Sequence, residues 1–377
     1  MQTFGTYDVD QHGRRCYRPP VPPFPRLDDM WDQLDPALRA ITDFDRALEG
    51  FPLPNVIGKL FARLDAVHSS GAEGTTTTFT DLMGFQSELR QARNREDAQT
   101  VAGCADAFDA LSSSPKSPAE MVRLIHLRLF ERAKDPYVVA TAGRWKTIPN
   151  STFDSAQGGP FHFTAPEALG DALGEWERFT LADGAQPELV RQCLSHWMFE
   201  HIHPVADGNG RVGRLLLPLM LRQKKATAQA CAFMGEGVHL NKSLYVDALR
   251  DGRMTGDLTA FVRTCLSLIR QTARANHQRL DALGGVHRTW QDATAKYRRQ
   301  SVIHKLVPFA LTTPVFTVRD AQRGLPGSPV FQTVNAGIAE LVELGVLRQR
   351  SSEGQIVERD RLFEARSVIE LFDPVRG

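Results

Sequence analysis

The sequence predicts a mainly α-helical protein of more than one domain, on three observations. Its 377 residues suffice for two or three domains at roughly 100–200 residues each. Apolar residues recur at helical spacing through most of the chain, and Gly, Pro and alternating runs fall into a few interruptions. Composition is that of a globular chain, and a net charge of +1 gives no global attraction to nucleic acid or an anionic membrane, so any such contact must be local. The cysteines (Cys16, Cys104, Cys193, Cys231, Cys265) are widely spaced and form no CxxC pair, which points away from a disulfide framework or a zinc site and toward a reducing cytoplasm. The sequence has neither a run of ~18–20 apolar residues nor an apolar core in its first twenty residues, so a cytoplasmic chain without a membrane contact is expected.

Taken in order, YRPPVPPFPRL (17–27) holds five prolines and reads as an extended lead-in. From Trp31 to His68 the pattern is helical, with FPLPN (51–55) dividing Leu34, Leu38 and Ile41 from Val56, Leu60 and Leu64. Gly and Thr in 69–78 break it before Phe79, Leu82 and Met83 suggest another helix. Ser117-Pro118-Ala119-Glu120 starts a helix over 118–136, and Met121, Leu124, Ile125 and Leu129 form its stripe. Between Val138 and Phe163, scattered Gly, Pro and aromatics predict a short hairpin or flap, followed by a helix over 166–179. Residues 187–202 and a segment from about Gly210 through LLLPLML predict two buried helices, the second carrying Pro218. NKSLYVDAL and the stretch ending at Gly284-Gly285 are helical, the latter stopped by its glycines. A helix near 291–306, two short helices and a closing hairpin (354–365) then suggest a winged-helix module.

Chemistry concentrates in HPVADGNGRVGR, His203 to Arg214, between two helices. Asp207, Gly208, Asn209 and Gly210 precede a helix, leaving backbone N–H groups free at the positive end of its dipole, with glycines that let an anion approach. Arg211 and Arg214, three apart, suit successive phosphates; Asp207 suits a Mg²⁺ bridging them; His203 suits a general base near neutral pH. From the residues alone, the same segment also reads as a capped helix–helix corner with solvated arginines. An HxH metal pair of His201 and His203 is disfavoured, because no second ligand cluster stands nearby at metal spacing.

The segment resembles the Fic family pattern HPFxDGNGRxxR, with Val205 in place of Phe, and the preceding WMFEHI also resembles that family. The similarity runs from the proline-rich lead-in to the terminal module. It implies a Fic-type helical core with a small hairpin flap, an N-terminal helical region (1–115), a catalytic core (116–285) and a winged-helix domain (286–377). It implies an adenylyltransferase that moves AMP from ATP to a Ser, Thr or Tyr hydroxyl of a protein. His203 would be the base and Asp207 the Mg²⁺ ligand. Gly208, Asn209, Gly210, Arg211 and Arg214 would hold phosphates. Ser69 to Gly74 fits the family's inhibitory pattern [ST]xxxE[GN], so Glu73 would pair with Arg214 and obstruct ATP. Tyr245 resembles an aromatic near the adenine, or equally a core tyrosine. Residues 143–163 resemble the flap that clamps the target's main chain. The partner is therefore a protein target, with self-modification and a homodimer left open.

Two alternatives stand beside this. The same fold can run AMP removal or another nucleotidyl or phosphoryl transfer, and the terminal module can bind DNA. The second is disfavoured by charge: from His287 onward thirteen Lys and Arg face ten Asp and Glu, and Gly324–Leu347 has no cation.

Overall fold

The computed structural model describes residues 4–87, 92–112, 116–154, 158–350 and 361–373. The first element is a hairpin that the composition of the N-terminus does not announce: β1 (Thr6–Val9) antiparallel to β2 (Arg15–Arg18). Its turn is made by Asp10, whose Oδ1 accepts the amides of His12 (2.9 Å) and Arg14 (2.8 Å), and by Gly13 at φ 77°. After the prolines come α1 (Trp31–Gly50) and α2 (Pro54–Ala72), divided at 51–53 as predicted. α3 (Phe79–Gln86) starts from a Thr78/Asp81 capping box, α4 (Arg95–Leu111) from Asn94, and α5 (Pro118–Phe130) from the expected Ser117/Glu120 box.

The predicted hairpin over 138–163 is shorter than expected. Residues 136–141 form α6 (Pro136–Thr141), because Asp135 accepts the Tyr137 amide (2.8 Å) and Pro136 takes the first helical position. The hairpin itself is β3 (Ser151–Asp154) and β4 (Gly159–His162). Its Cys16–His162 register joins β4 in parallel to β2, giving one four-stranded sheet in the order β1-β2-β4-β3. The N-terminal hairpin thus lies against the base of the flap.

The core follows as α7 (Leu169–Leu181), α8 (Glu188–Ile202), α9 (Asn209–Gln223), α10 (Gly235–Leu240), α11 (Lys242–Thr255) and α12 (Thr259–Thr294). Every residue of α8 from Leu189 to Ile202 is buried, so it is the central helix, packed on α7, α9 and α12. α12 corrects the sequence reading twice. It runs straight through Gly284-Gly285 to Thr294, and no helix spans 291–306. Two glycines cost about 1 kcal/mol each against alanine, whereas burying Leu280, Leu283 and Trp290 returns roughly 1.5–3 kcal/mol per large side chain.

Beyond it lie α13 (Ile303–Thr312), β5 (Val315–Thr317), α14 (Val318–Gly324), α15 (Phe331–Glu343), β6 (Arg348–Arg350), β7 (Leu362–Glu364) and α16 (Arg366–Phe372). The three strands form an antiparallel sheet ordered β5-β7-β6; most of the predicted closing hairpin, 351–360, lies outside the described residues. The last helix folds back on the N-terminal region. Phe372 stacks on Phe79 with ring centroids 4.8 Å apart, and the Asp373 carboxylate accepts the amides of Phe79 (3.0 Å) and Thr80 (2.6 Å) at the start of α3. All five cysteines are buried and free, and among the described residues no helix is long and apolar enough to cross a membrane.

One close approach is testable. A Cβ on Gly103 of α4 would overlap the Arg128 carbonyl oxygen of α5. Gly103→Ala is expected to lower stability by about 1–3 kcal/mol by forcing the two helices apart, read as a lower urea midpoint; an unchanged midpoint would refute it.

Candidate active site

The site is built on the turn between α8 and α9. α8 ends at Ile202 because His203 takes the left-handed conformation (φ 52°, ψ 59°) and its amide returns to the Phe199 carbonyl at 2.9 Å. Its ring is then fixed on one edge: Nδ1 lies 3.0 Å from the Glu200 carbonyl oxygen. A carbonyl only accepts, so Nδ1 carries the proton and Nε2 presents a lone pair. Burial pushes His203 down to about 4, with the Lys146 charge adding to it, so the ring is neutral at pH 7 and able to take a proton.

Asn209 closes the loop below. Its Oδ1 accepts the Val205 amide (3.0 Å) and its Nδ2 donates to the Val205 carbonyl (2.8 Å). Val205 is wholly buried beneath the turn. Gly208, at φ 76°, precedes α9 without any side-chain cap, so the first amides of this fifteen-residue helix stay available for an anion. A Cβ on Gly210 would lie 2.5 Å from Glu73 Oε1 and 2.7 Å from Arg214 Nη1, so the hollow exists only with glycine.

The two arginines, although three apart on α9, go to different neighbours. Arg211 lies over the Phe130 ring at 5.3 Å, with Nη2 3.5 Å from Asp207 Oδ2 and a buried Nε without a hydrogen-bond partner. Arg214, 2% exposed, turns toward α2: Nε donates to Ser69 Oγ (2.8 Å), and Nη2 to the Ser69 carbonyl (2.9 Å) and Glu73 Oε1 (2.6 Å). Burial works against the charged form of Glu73, but Arg214 outweighs it and holds the carboxylate below its usual range. Asp207 is three-quarters exposed, with Oδ1 accepting the Gly208 amide at 2.7 Å. It offers one carboxylate, a donor set that fits Mg²⁺, which takes one or two carboxylates and completes its shell with water and substrate phosphate.

Several neighbours were not legible in the motif. Lys146 Nζ donates to the Ile202 carbonyl (3.1 Å) and to Asn150 Oδ1 (2.8 Å), and Asn150 Nδ2 donates to the Val205 carbonyl (2.8 Å). Burial pushes the Lys146 ammonium down to about 7. Phe163, just past β4, stacks on the His203 ring at 3.9 Å and 12°. A cavity of about 220 Å³ is lined by Phe153, Phe161, Phe163, Val246 and Leu249 together with His203. Its lining also includes the buried Arg253–Asp154 ion pair, which ties α11 to β3. Tyr245 is not part of that lining: it is 4% exposed, its hydroxyl 2.7 Å from His196 Nε2. His201, buried, has Nδ1 on the Trp197 carbonyl at 2.8 Å, and the described residues form no group of three or more His, Cys, Asp or Glu able to hold a metal.

Burial of neutral imidazoles sets an acid limit to the fold. It pushes His68, His126 and His203 down to about 4 and His196 and His201 to about 3, from 6.5. Below 6.5 the unfolded chain binds these protons and the folded chain does not, so their stability is present above 6.5 and is lost as pH falls toward 4. Asp65 and Glu200, raised by burial to about 7, work oppositely, their stabilisation growing as pH falls. Five groups outweigh two. The urea midpoint is expected to fall between about pH 7 and about pH 5; a rise would contradict the burial of these imidazoles in neutral form.

Residues 116–221 match the model of the Fic/DOC family, and residues 31–110 match the model of the Fic/DOC family N-terminal region. The fold is similar to a Fic family protein from Desulfovibrio desulfuricans G20, at 17% identity and TM-score 0.58, over 91% of this chain and 98% of that one. It is similar to a Fic domain containing signaling protein from Bacteroides thetaiotaomicron VPI-5482, at 17% identity and TM-score 0.52, over 65% of this chain and 97% of that one. It is also similar to Fic-1 from C. elegans, at 20% identity and TM-score 0.50, over 68% and 73%. With the first family match covering the whole α8–α9 turn and the second the helices that bring Arg214 its partners, the chain is a Fic domain protein.

Proposed function

We propose that the chain is a protein adenylyltransferase restrained by the end of α2. The observation that carries this is the pairing of a neutral His203, with Nε2 as its free lone pair, with the uncapped start of α9. A proton acceptor stands beside a polyphosphate cradle, the two functions that transfer from ATP to a hydroxyl requires.

In this reading the β- and γ-phosphates lie against the amides of Asn209 and Gly210, joined by that of Gly208 once Asp207 Oδ1 releases it, with Arg211 Nε supplying a buried donor that is otherwise without a partner. Asp207 would hold Mg²⁺, which would supply charge neutralisation on the phosphate oxygens. His203 Nε2 takes the proton from a Ser, Thr or Tyr hydroxyl of the target. That oxygen bonds to the α-phosphorus as the bond to pyrophosphate breaks. The stacked Phe163 and the Glu200 carbonyl keep the ring in plane, so no reorganisation is needed at the moment of transfer.

Glu73 stands in the way twice. Its carboxylate lies in the hollow over Gly210 and engages the Arg214 guanidinium that would meet the third phosphate. The domain division at 115 and 285 remains part of this proposal. So does a winged-helix role for 286–377, which the order α13-β5-α14-α15-β6-β7 supports. α15 carries no cation, which favours a protein contact for that module over DNA.

The test is transfer of label from α-labelled ATP to protein with Mg²⁺. Glu73→Gly is expected to raise labelling at least tenfold over the parent, and His203→Ala in that background to remove it. Release of free AMP from modified protein, with no labelling by any variant, would instead support hydrolysis on the same site.

A further inference from the structure

We propose that Lys146 is a positioning residue for the transfer step: acting with Asn150, it locks the carbonyls of the α8–α9 turn and thereby fixes the direction of His203 Nε2. The inference rests on His203 being the base. It starts from a structural cost. A non-glycine residue in the left-handed region persists only where its surroundings over-determine it, and His203 is one of four such residues in the described chain. The last carbonyls of α8 also need partners from outside the helix.

Both needs are met from one five-residue segment at the flap base. The Lys146 ammonium takes the Ile202 carbonyl, one residue before His203, and its backbone amide takes the Pro204 carbonyl at 2.9 Å, one residue after. Lys146 is 5% exposed, so its ammonium has little water to turn to. The orientation of the Asn150 amide is settled by its other arm, because the Val205 carbonyl can only accept: Nδ2 must face the turn and Oδ1 the Lys146 nitrogen. Nδ2 then meets the Val205 carbonyl, alongside the Asn209 amide that reaches it from the other side.

The same segment reaches the ring face. The Asn150 carbonyl accepts the Phe163 amide at 3.1 Å, and Phe163 is the residue stacked on His203. The imidazole is therefore held at its Nδ1 edge by α8 and on its face by the flap, with Lys146 and Asn150 joining the two. Fastened this way, the hairpin and the base move as one body, so a target segment held by the flap meets Nε2 in a fixed direction.

A purely structural lysine would lower stability without touching the chemistry selectively, and the experiment separates the two. In the full chain carrying Glu73→Gly, Lys146→Met is expected to lower kcat by about 10²-fold, the scale on which a displacement of about 1 Å costs rate. KM for ATP should stay within about twofold, since the phosphate cradle is made by other residues, and Lys146→Arg should recover part of kcat by restoring a donor. Nitrogen-labelled histidine gives a second readout in the parent chain. The His203 ring should show the Nδ1–H tautomer alone in the parent and a mixture of tautomers in Lys146→Met. Should Lys146→Met not fold, Asn150→Ala serves in both arms. An unaltered kcat and ring signature in the folded variant would overturn the proposal. If Glu73→Gly shows no transfer at all, the adenylyltransferase reading fails, while the ring signature still decides whether Lys146 positions His203.

Discussion

The buried Arg214 guanidinium is the interaction on which the arrangement depends. A cation 2% exposed must be met by acceptors or it destabilises the fold, and α9 itself offers it none. The acceptors come from another region: Ser69 supplies a hydroxyl and a carbonyl, Glu73 a carboxylate. The end of α2 is therefore built into the site as the counter-charge of its deepest arginine. That gives the N-terminal region its place in the fold and, in the proposed mechanism, its restraint on activity. Because Ser69 makes two contacts with Arg214, loss of Glu73 would leave the guanidinium held and freed on one side, where the proposed mechanism puts the third phosphate.

Around that ion pair the turn is rigid for reasons that are local and additive. Asn209 braces Val205 from below, Lys146 and Asn150 brace it from the flap, and Phe163 covers the ring of His203. The flap is in turn fixed by the N-terminal hairpin through β2 and β4, and by Asp154 on Arg253. The flap-lined cavity thus has firm walls, which suits a site that works by holding groups in place more than by changing shape.

Much of this was legible in the sequence, and the remainder was not for identifiable reasons. Helix α8 stands where its residues predict, and α5 starts at its predicted cap but ends at Phe130, short of the expected 136. The turn at 203–214 was readable because its glycines, arginines and histidine fall within twelve consecutive positions. Lys146, Asn150 and Phe163 lie about 40 to 57 residues before His203 and bear no pattern of their own; only the packing of the flap brings them to the turn. The β1–β2 hairpin is not legible, although Asp10 and Gly13 mark its turn, because four-residue strands carry little periodicity. The glycines in α12 misled for the opposite reason: tertiary burial outweighed a local stop signal.

The most direct test of the account is the difference in affinity between a non-hydrolysable ATP analogue and ADP, measured by calorimetry for the parent and for Glu73→Gly. With Arg214 engaged by Glu73, the parent should bind the two nucleotides about equally, because the third phosphate finds Arg214 already taken. Glu73→Gly should prefer the triphosphate by about tenfold, or about 1.4 kcal/mol. Equal preference in both proteins would contradict the assignment of Arg214 to the third phosphate and, with it, the role given to Glu73.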